Sequence, residues 1–313
     1  MGFLVEDLLV SIKSRTLAPT SQQTFADADF IIIADEELRD SIVPTIMEAR
    51  EDFFRAFLDR PLVTGIDRYL IPERAIGNAL KGVSYVDATG REYPRLPRDK
   101  ASNADIYSGN TSAQPTMFDI EGDRVITLPK PLNPTGFLRL RYYMRPNQLI
   151  ATAQATKILG TSSSSGLTTF TVDTDQSAVL LPGAKIDFVR SSSPFLLWAF
   201  DVVIQSITST TIVVNTADVQ DPNGLIYPQA ADYICPAKQS NIPMIPMEYH
   251  SVLAQKCAER VLESLGHTEK LQAAMAKGKE KELAASKVIS NRVEDSPKSI
   301  VNRNGFMSTL RRW

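Results

Sequence analysis

Cysteine is nearly absent from this chain of 313 residues. Cys235 and Cys257 are too few for a disulfide scaffold, so a reducing cytoplasm is the default place of synthesis. Histidine is as scarce: His250 and His267 share no metal-ligand spacing with the cysteines, and no metal is expected. No apolar run approaches the roughly 20 residues of a membrane span, and no membrane partner is expected. The opening "MGFLVEDLLVSIKSR" carries Glu6 and Asp7 ahead of its cations and lacks a small-residue cleavage site, so it does not read as a secretion signal. Glu6 also stands where a myristoylation motif needs Ser or Thr. An excess of positive charge is missing too. The formal net charge is −2, which argues against a dedicated nucleic-acid binder.

Catalytic signatures are equally wanting. The chain has no GxSxG, HExxH, Walker or dinucleotide fingerprint. "GTSSSSG" (160–166) fails as a phosphate loop, because five residues separate its glycines and Leu167 stands where the lysine belongs. Carboxylates are plentiful, but a glycosidase pair is recognised only by spatial separation, and no pair stands out in the string. Cys257 lies on an apolar helical stripe, where a buried inert thiol is expected. These absences point away from an enzyme, with no catalytic residue and no cofactor, and toward a structural or binding role.

What is present is patterned. Residues 3–60 read as helical: Val5, Leu8, Leu9 and Ile12 follow the i, i+3, i+4, i+7 stripe. Asp27 or Asp29 is a candidate cap for a second helix, and Pro44 should kink it or begin a new one. Ile46, Phe53, Phe54 and Phe57 form a broad apolar face expected in the core, with Asp35-Glu36-Glu37 on a solvated face. In "YLIPERAIGNALKGVSYV" a short helix is expected after Pro72, followed by a strand. From residue 118 the pattern becomes β. Glu121-Gly122-Asp123 reads as a hairpin turn, and in "FLRLRYY" Leu138, Leu140 and Tyr142 alternate with Arg139, Arg141 and Tyr143. The paired arginines have the chemistry to grip phosphate or carboxylate, but an exposed polar sheet face is the simpler reading.

Residues 151–235 hold β-branched runs with turns at regular intervals, and the Ser-rich stretch 161–165 fits a hairpin tip. Helix then returns. Val252, Leu253, Cys257, Val261 and Leu265 form a stripe, with Gly266 as its C-cap and Thr268 as the cap of a long, Lys/Glu-patterned, largely exposed helix. The predicted fold class is α+β. Terminal helices form a helical bundle, with a short β-hairpin region and an inserted small antiparallel β-barrel or sandwich domain. The expected divisions are 1–60 (N-terminal helices), 61–150 (loops and strands), 151–235 (inserted β domain), 236–290 (C-terminal helices) and 291–313 (an extended arm). In that arm Lys298, Arg303, Arg311 and Arg312 meet no acid from 296 onward, and Ile300, Phe306 and Trp313 are its large apolar groups.

The strings "DFIIIADEELRDSIVPTIMEAREDFF", "YLIPERAIGNALKGVSY", "EGDRVITLPKP", "LRLRYYMRPNQLI", "IDFVRSSSPF", "DYICPAKQSNIPMIP" and "PKSIVNRNG" run along nearly the whole chain. Together they resemble the head-to-tail adaptor (connector) proteins of tailed bacteriophages. The resemblance implies a homo-oligomeric, dodecameric ring in the neck of the virion, assembled in the host cytoplasm. It implies docking under the portal protein through the C-terminal arm, with Lys298, Ile300, Arg303, Phe306, Arg311, Arg312 and Trp313 as contacts. A tail-side adaptor, nozzle or tail tube protein would bind the other face, and double-stranded DNA would pass through the lumen without sequence-specific binding. Two rivals are another tail or baseplate protein whose β block binds carbohydrate, and a virion-associated cell-wall hydrolase.

Overall fold

Two-residue alternation, rather than the 3.6-residue period of a helix, governs most of this chain. The computed structural model describes residues 3–16, 25–99, 111–112, 114–220, 225–226 and 228–290. Among the described residues the protein is mostly strand, with four helices. Helix α1 is Val5–Thr16. Helix α2 is composite: α-helical over Asp27–Glu37, a π turn over Leu38–Ile42, then α-helical again over Val43–Ala49. Helices α3 (Met247–Ser264) and α4 (Thr268–Ile289) follow the strands.

The expected terminal helical bundle is therefore corrected. The helices bury Val5, Ile12, Phe30, Leu38, Ile46, Val252, Leu253 and Cys257 in one cluster, but strand-side residues complete it. Leu149 lies inside this cluster, with Ile76, Tyr143 and Leu196 packed against its edge. The helices form a layer on a β body. Two stretches with a helical look account for the difference. After Ala49 the chain leaves the helix at Arg50 (φ −152°), turns through 51–54 and enters strand β1, Arg55–Pro61. Phe53 and Phe54 are buried as expected, whereas Phe57 is 51% exposed, because alternation turns it away from Ala56 and Leu58. The short helix expected after Pro72 is instead the start of β2, Ala75–Val86. Gly77 and Asn78 both adopt positive φ, which no helix tolerates in succession, and the register of β2 shifts between Ala75 and Leu80.

Smaller signals fall close to their residues. Asp29 reaches back to the backbone N–H of Ala26 (2.7 Å) at the start of α2. The π turn precedes Pro44, whose ring and missing N–H disturb the preceding turn. Gly266 (φ +70°) ends α3: its N–H donates to the Glu263 carbonyl, and that of His267 to Leu262, a Schellman arrangement. Thr268 is already the first residue of α4, so the N-cap is His267.

The body sheet runs in the order β1–β4–β2–β3, all antiparallel, with β3 Glu92–Arg95 and β4 Phe137–Met144. A three-stranded sheet of Arg68–Leu70, Arg124–Leu128 and Met117–Glu121 packs beside it, turning at Gly122. Six strands between Thr156 and Pro236 close into a barrel. Its strands are β5 Thr156–Ser164, β6 Leu167–Val172, β7 Lys185–Val189, β8 Leu197–Ile207, β9 Thr211–Asn215 and β10 Tyr233–Pro236. Ser165 and Gly166, both at positive φ, form the two-residue tip between β5 and β6. Ile158, Phe170, Ile186, Phe188, Ile204, Ile212, Val214 and Ile234 fill the interior. Closure removes the free edges that a two-sheet sandwich would leave.

Gly136 is fixed by crowding. A Cβ there would run into the Val86 carbonyl oxygen and the Tyr85 ring, whereas one at Gly160 meets open space. Gly136→Ala should cost about 1–3 kcal/mol in urea denaturation, with Gly160→Ala within about 0.5 kcal/mol of the parent. Equal effects would mean that the β2–β4 edge yields freely.

Candidate functional site

The densest polar chemistry lies where barrel and body sheet meet. Arg74, just before β2, donates from Nη2 to Asp187 Oδ1 (2.8 Å) and Asp201 Oδ1 (2.9 Å). Its Nε donates to Asp201 Oδ2 (3.0 Å) and its Nη1 to Asn147 Oδ1 (2.8 Å). Asp187, on β7, has a side chain that is 0% exposed. Besides Arg74, its carboxylate accepts from Asn147 Nδ2 (2.6 Å) and from the backbone N–H groups of Asp201 (3.0 Å) and Lys238 (2.9 Å). Burial pushes the Asp187 carboxyl up, while the Arg74 guanidinium and these donors pull it back toward the ionised form. For Arg74, burial works against the charge, but the bonds to Asp201 and Asp187 outweigh it and raise its pKa.

A cleft of about 930 Å3 opens beside this cluster. Leu58, Arg60 and Tyr142 of the body sheet form one wall, with Ile71 beside them, and Lys185, Phe200 and Asp201 of the barrel form the other. Tyr142 is 0% exposed, and its hydroxyl has no hydrogen-bond partner. Burial pushes its pKa up to about 12, so the phenol stays protonated and is a donor without an acceptor.

The residues singled out by sequence mostly serve the fold. Arg139 forms a bidentate pair with Asp59 (2.8 and 2.7 Å) and also meets Glu92, while Arg141 donates to Glu92 at 2.5 Å. The Arg141 hydrogen bond, against a smaller effect of burial and with help from Ser84 and Arg139, holds Glu92 down at about 2. The paired arginines thus already hold carboxylates of this chain. Asp35 is not on a solvated face, as expected, but buried, accepting the backbone N–H of Leu149 (3.0 Å) and pairing with Arg39 (2.9 Å). Burial raises its pKa, and it ties α2 to the strand segment. Glu36 and Glu37 meet Arg260 of α3. Burial pushes Cys235 up to about 12 and Cys257 higher still, which leaves both thiols protonated. Lys298, Ile300, Arg303, Phe306, Arg311, Arg312 and Trp313 lie outside the described residues.

Sequence reading missed Arg74, Asn147, Asp187, Asp201 and Tyr142. One signal was visible: in "KIDFV" a lone carboxylate interrupts a run of large apolar residues, as a buried, paired charge must. Among the described residues no cluster of three or more His, Cys, Asp or Glu is placed to hold a metal, and no helix is long and apolar enough to cross a membrane. No protein-family model matches the chain, and no curated protein matches it.

His250 is packed between the rings of Phe3 (4.8 Å) and Phe195 (5.2 Å), its Nε2 buried without a partner. Burial lowers its pKa from 6.5 to about 4, against a weaker pull from Ile245. The unfolded chain therefore takes up a proton below its ordinary value that the fold refuses down to about 4. Stability should be complete above pH 6.5 and fall by about 3 kcal/mol as pH drops through that window. Urea titrations of the parent and His250→Gln between pH 7 and 4 should show the variant losing most of this slope. Identical slopes would contradict the assignment.

Proposed function

We propose that this chain is a structural subunit of a tailed-bacteriophage virion, a head-to-tail adaptor whose copies form a ring under the portal and extend the DNA channel toward the tail. The resemblance of its strings to that family motivates the reading, and one structural observation carries it furthest. On α4, Leu283 is 64% and Val288 65% exposed, and Leu283 borders a groove of about 680 Å3 with Thr45, Ala49 and Ser286. A helix presenting large apolar groups outward needs a neighbour, and adjacent copies in a ring supply one. The groove also carries Glu48, Glu282, Lys279 and Lys287, both signs of charge, which a neighbouring copy can complement. The polar chemistry at the barrel junction is directed inward, at holding two parts of one chain together, which suits a subunit that must keep its shape.

On this reading the portal is met by the arm, through Lys298, Ile300, Arg303, Phe306, Arg311, Arg312 and Trp313. A dozen arms in one ring would bind together even where each binds weakly. No catalytic role is proposed. Native mass spectrometry of the full chain with its portal should reveal a complex bearing a ring of this protein. Leu283→Asp combined with Val288→Asp should abolish the ring while leaving the melting temperature within a few degrees of the parent. A portal mixture without any bound copy of this chain would overturn the adaptor reading. Ring formation by the double variant would place the subunit contact elsewhere.

A further inference from the structure

The cleft between barrel and body sheet has an imbalance that the fold does not use. Its acids are engaged: Asp201 is held by Arg74, Glu73 by Lys238, and Asp123 lies 3.7 Å from Arg124. Two of its cations are not. Among the described residues, neither Arg60 nor Lys185 has a carboxylate oxygen within the 4.0 Å of an ion pair, although Lys185 acts on Glu73 and Asp201 at longer range. The Tyr142 hydroxyl lines the same cleft, buried and without an acceptor, within the field of Arg74, Asp201 and Arg60. A buried hydroxyl left without a partner is costly, and native structures rarely leave one so.

We propose that this cleft binds a carboxylate carried on a short apolar stem. The carboxylate accepts from the Tyr142 hydroxyl and sits between Arg60 and Lys185, while Leu58, Ile71 and Phe200 cover the stem. Three features select this class. The phenol is a protonated donor and calls for an acceptor; the spare charges are positive and call for an anion; the apolar part of the wall, Leu58, Ile71 and Phe200, calls for a carbon body rather than a bare inorganic ion. The volume lies within the range of ligand sites. The carboxylate comes either from a small molecule or from a glutamate side chain of a docked chain, and the two sources share these contacts. The inference is independent of the ring reading.

The test is calorimetric titration of the full chain with two probes: glutarate, and an acetylated leucine-flanked hexapeptide with one central glutamate. The same peptide with glutamine is the control. Saturable binding of glutarate, or of the glutamate peptide but not its glutamine form, is expected, and which one binds names the source. Tyr142→Phe should weaken that binding about ten-fold or more while leaving the melting temperature unchanged or raised, since it removes an orphaned hydroxyl. Lys185→Ala and Arg60→Ala should weaken it too, more at low salt than at high. Failure of both probes would overturn the proposal. So would unchanged affinity in Tyr142→Phe together with a lowered melting temperature, which would mean that a fixed water already satisfies the hydroxyl.

Discussion

The carboxylate of Asp187 is the constraint on which the arrangement of this molecule depends. An ion wholly removed from water is costly by several kcal/mol unless its lone pairs are met. Here Arg74, Asn147 and two backbone N–H groups meet them, drawn from the entrance to β2, the segment just after β4, strand β8 and the turn after β10. Two of the donors come from residues in the left-handed region, Asp201 (φ +56°) and Lys238 (φ +66°), a backbone conformation that persists only where its surroundings hold it. Two of these donors, Arg74 and Asn147, come from outside the barrel, and they tie its orientation to the body sheet. A buried ion pair is weak evidence for net stability, but it penalises every arrangement that leaves the charge unpaired.

Apolar packing agrees with this orientation without dictating it. Leu196, Leu197 and Phe200 lean on the core of the body sheet. Val189, Phe195 and Cys235 of the barrel share a small cluster with Ile150 and Ile242, against which Phe3 and Leu4 pack. Contacts of this kind are non-directional and tolerate a few degrees of rotation. Hydrogen bonds to a buried carboxylate do not. The helix layer is fastened by the same device on a smaller scale, through Asp35 and the backbone of Leu149. Both junctions thus rely on an acid whose burial makes misplacement expensive.

Local periodicity made several elements legible. The β5–β6 hairpin, the stripes of α1 and α3 and the Gly266 terminus follow from short-range spacing and turn chemistry. The stretches 51–59 and 73–81 were not legible as strands, because "EDFFRAFLD" and "ERAIGNALK" have apolar spacings compatible with either period, and only pairing with β4 makes them strands. Asp35 looked like one more surface acid because its partner, the Leu149 backbone, is 114 positions away. Arg74 and Asp187 are likewise separated by 113 positions, so no local window reveals their pairing. What the string did hold was the anomaly of Asp187 among Ile186, Phe188 and Val189, all buried.

Pulsed electron-resonance distances across the junction test the central claim most directly. Spin labels at Ser164→Cys on the barrel tip and Lys277→Cys on α4 would report the orientation, since Cys235 and Cys257 are buried and protonated and should not react in the folded protein. The account predicts one narrow distance distribution in the labelled parent and a broad one once Arg74→Met leaves Asp187 without its counter-ion, with the barrel still folded by circular dichroism. A distribution equally narrow in both would contradict it and assign the orientation to apolar packing alone.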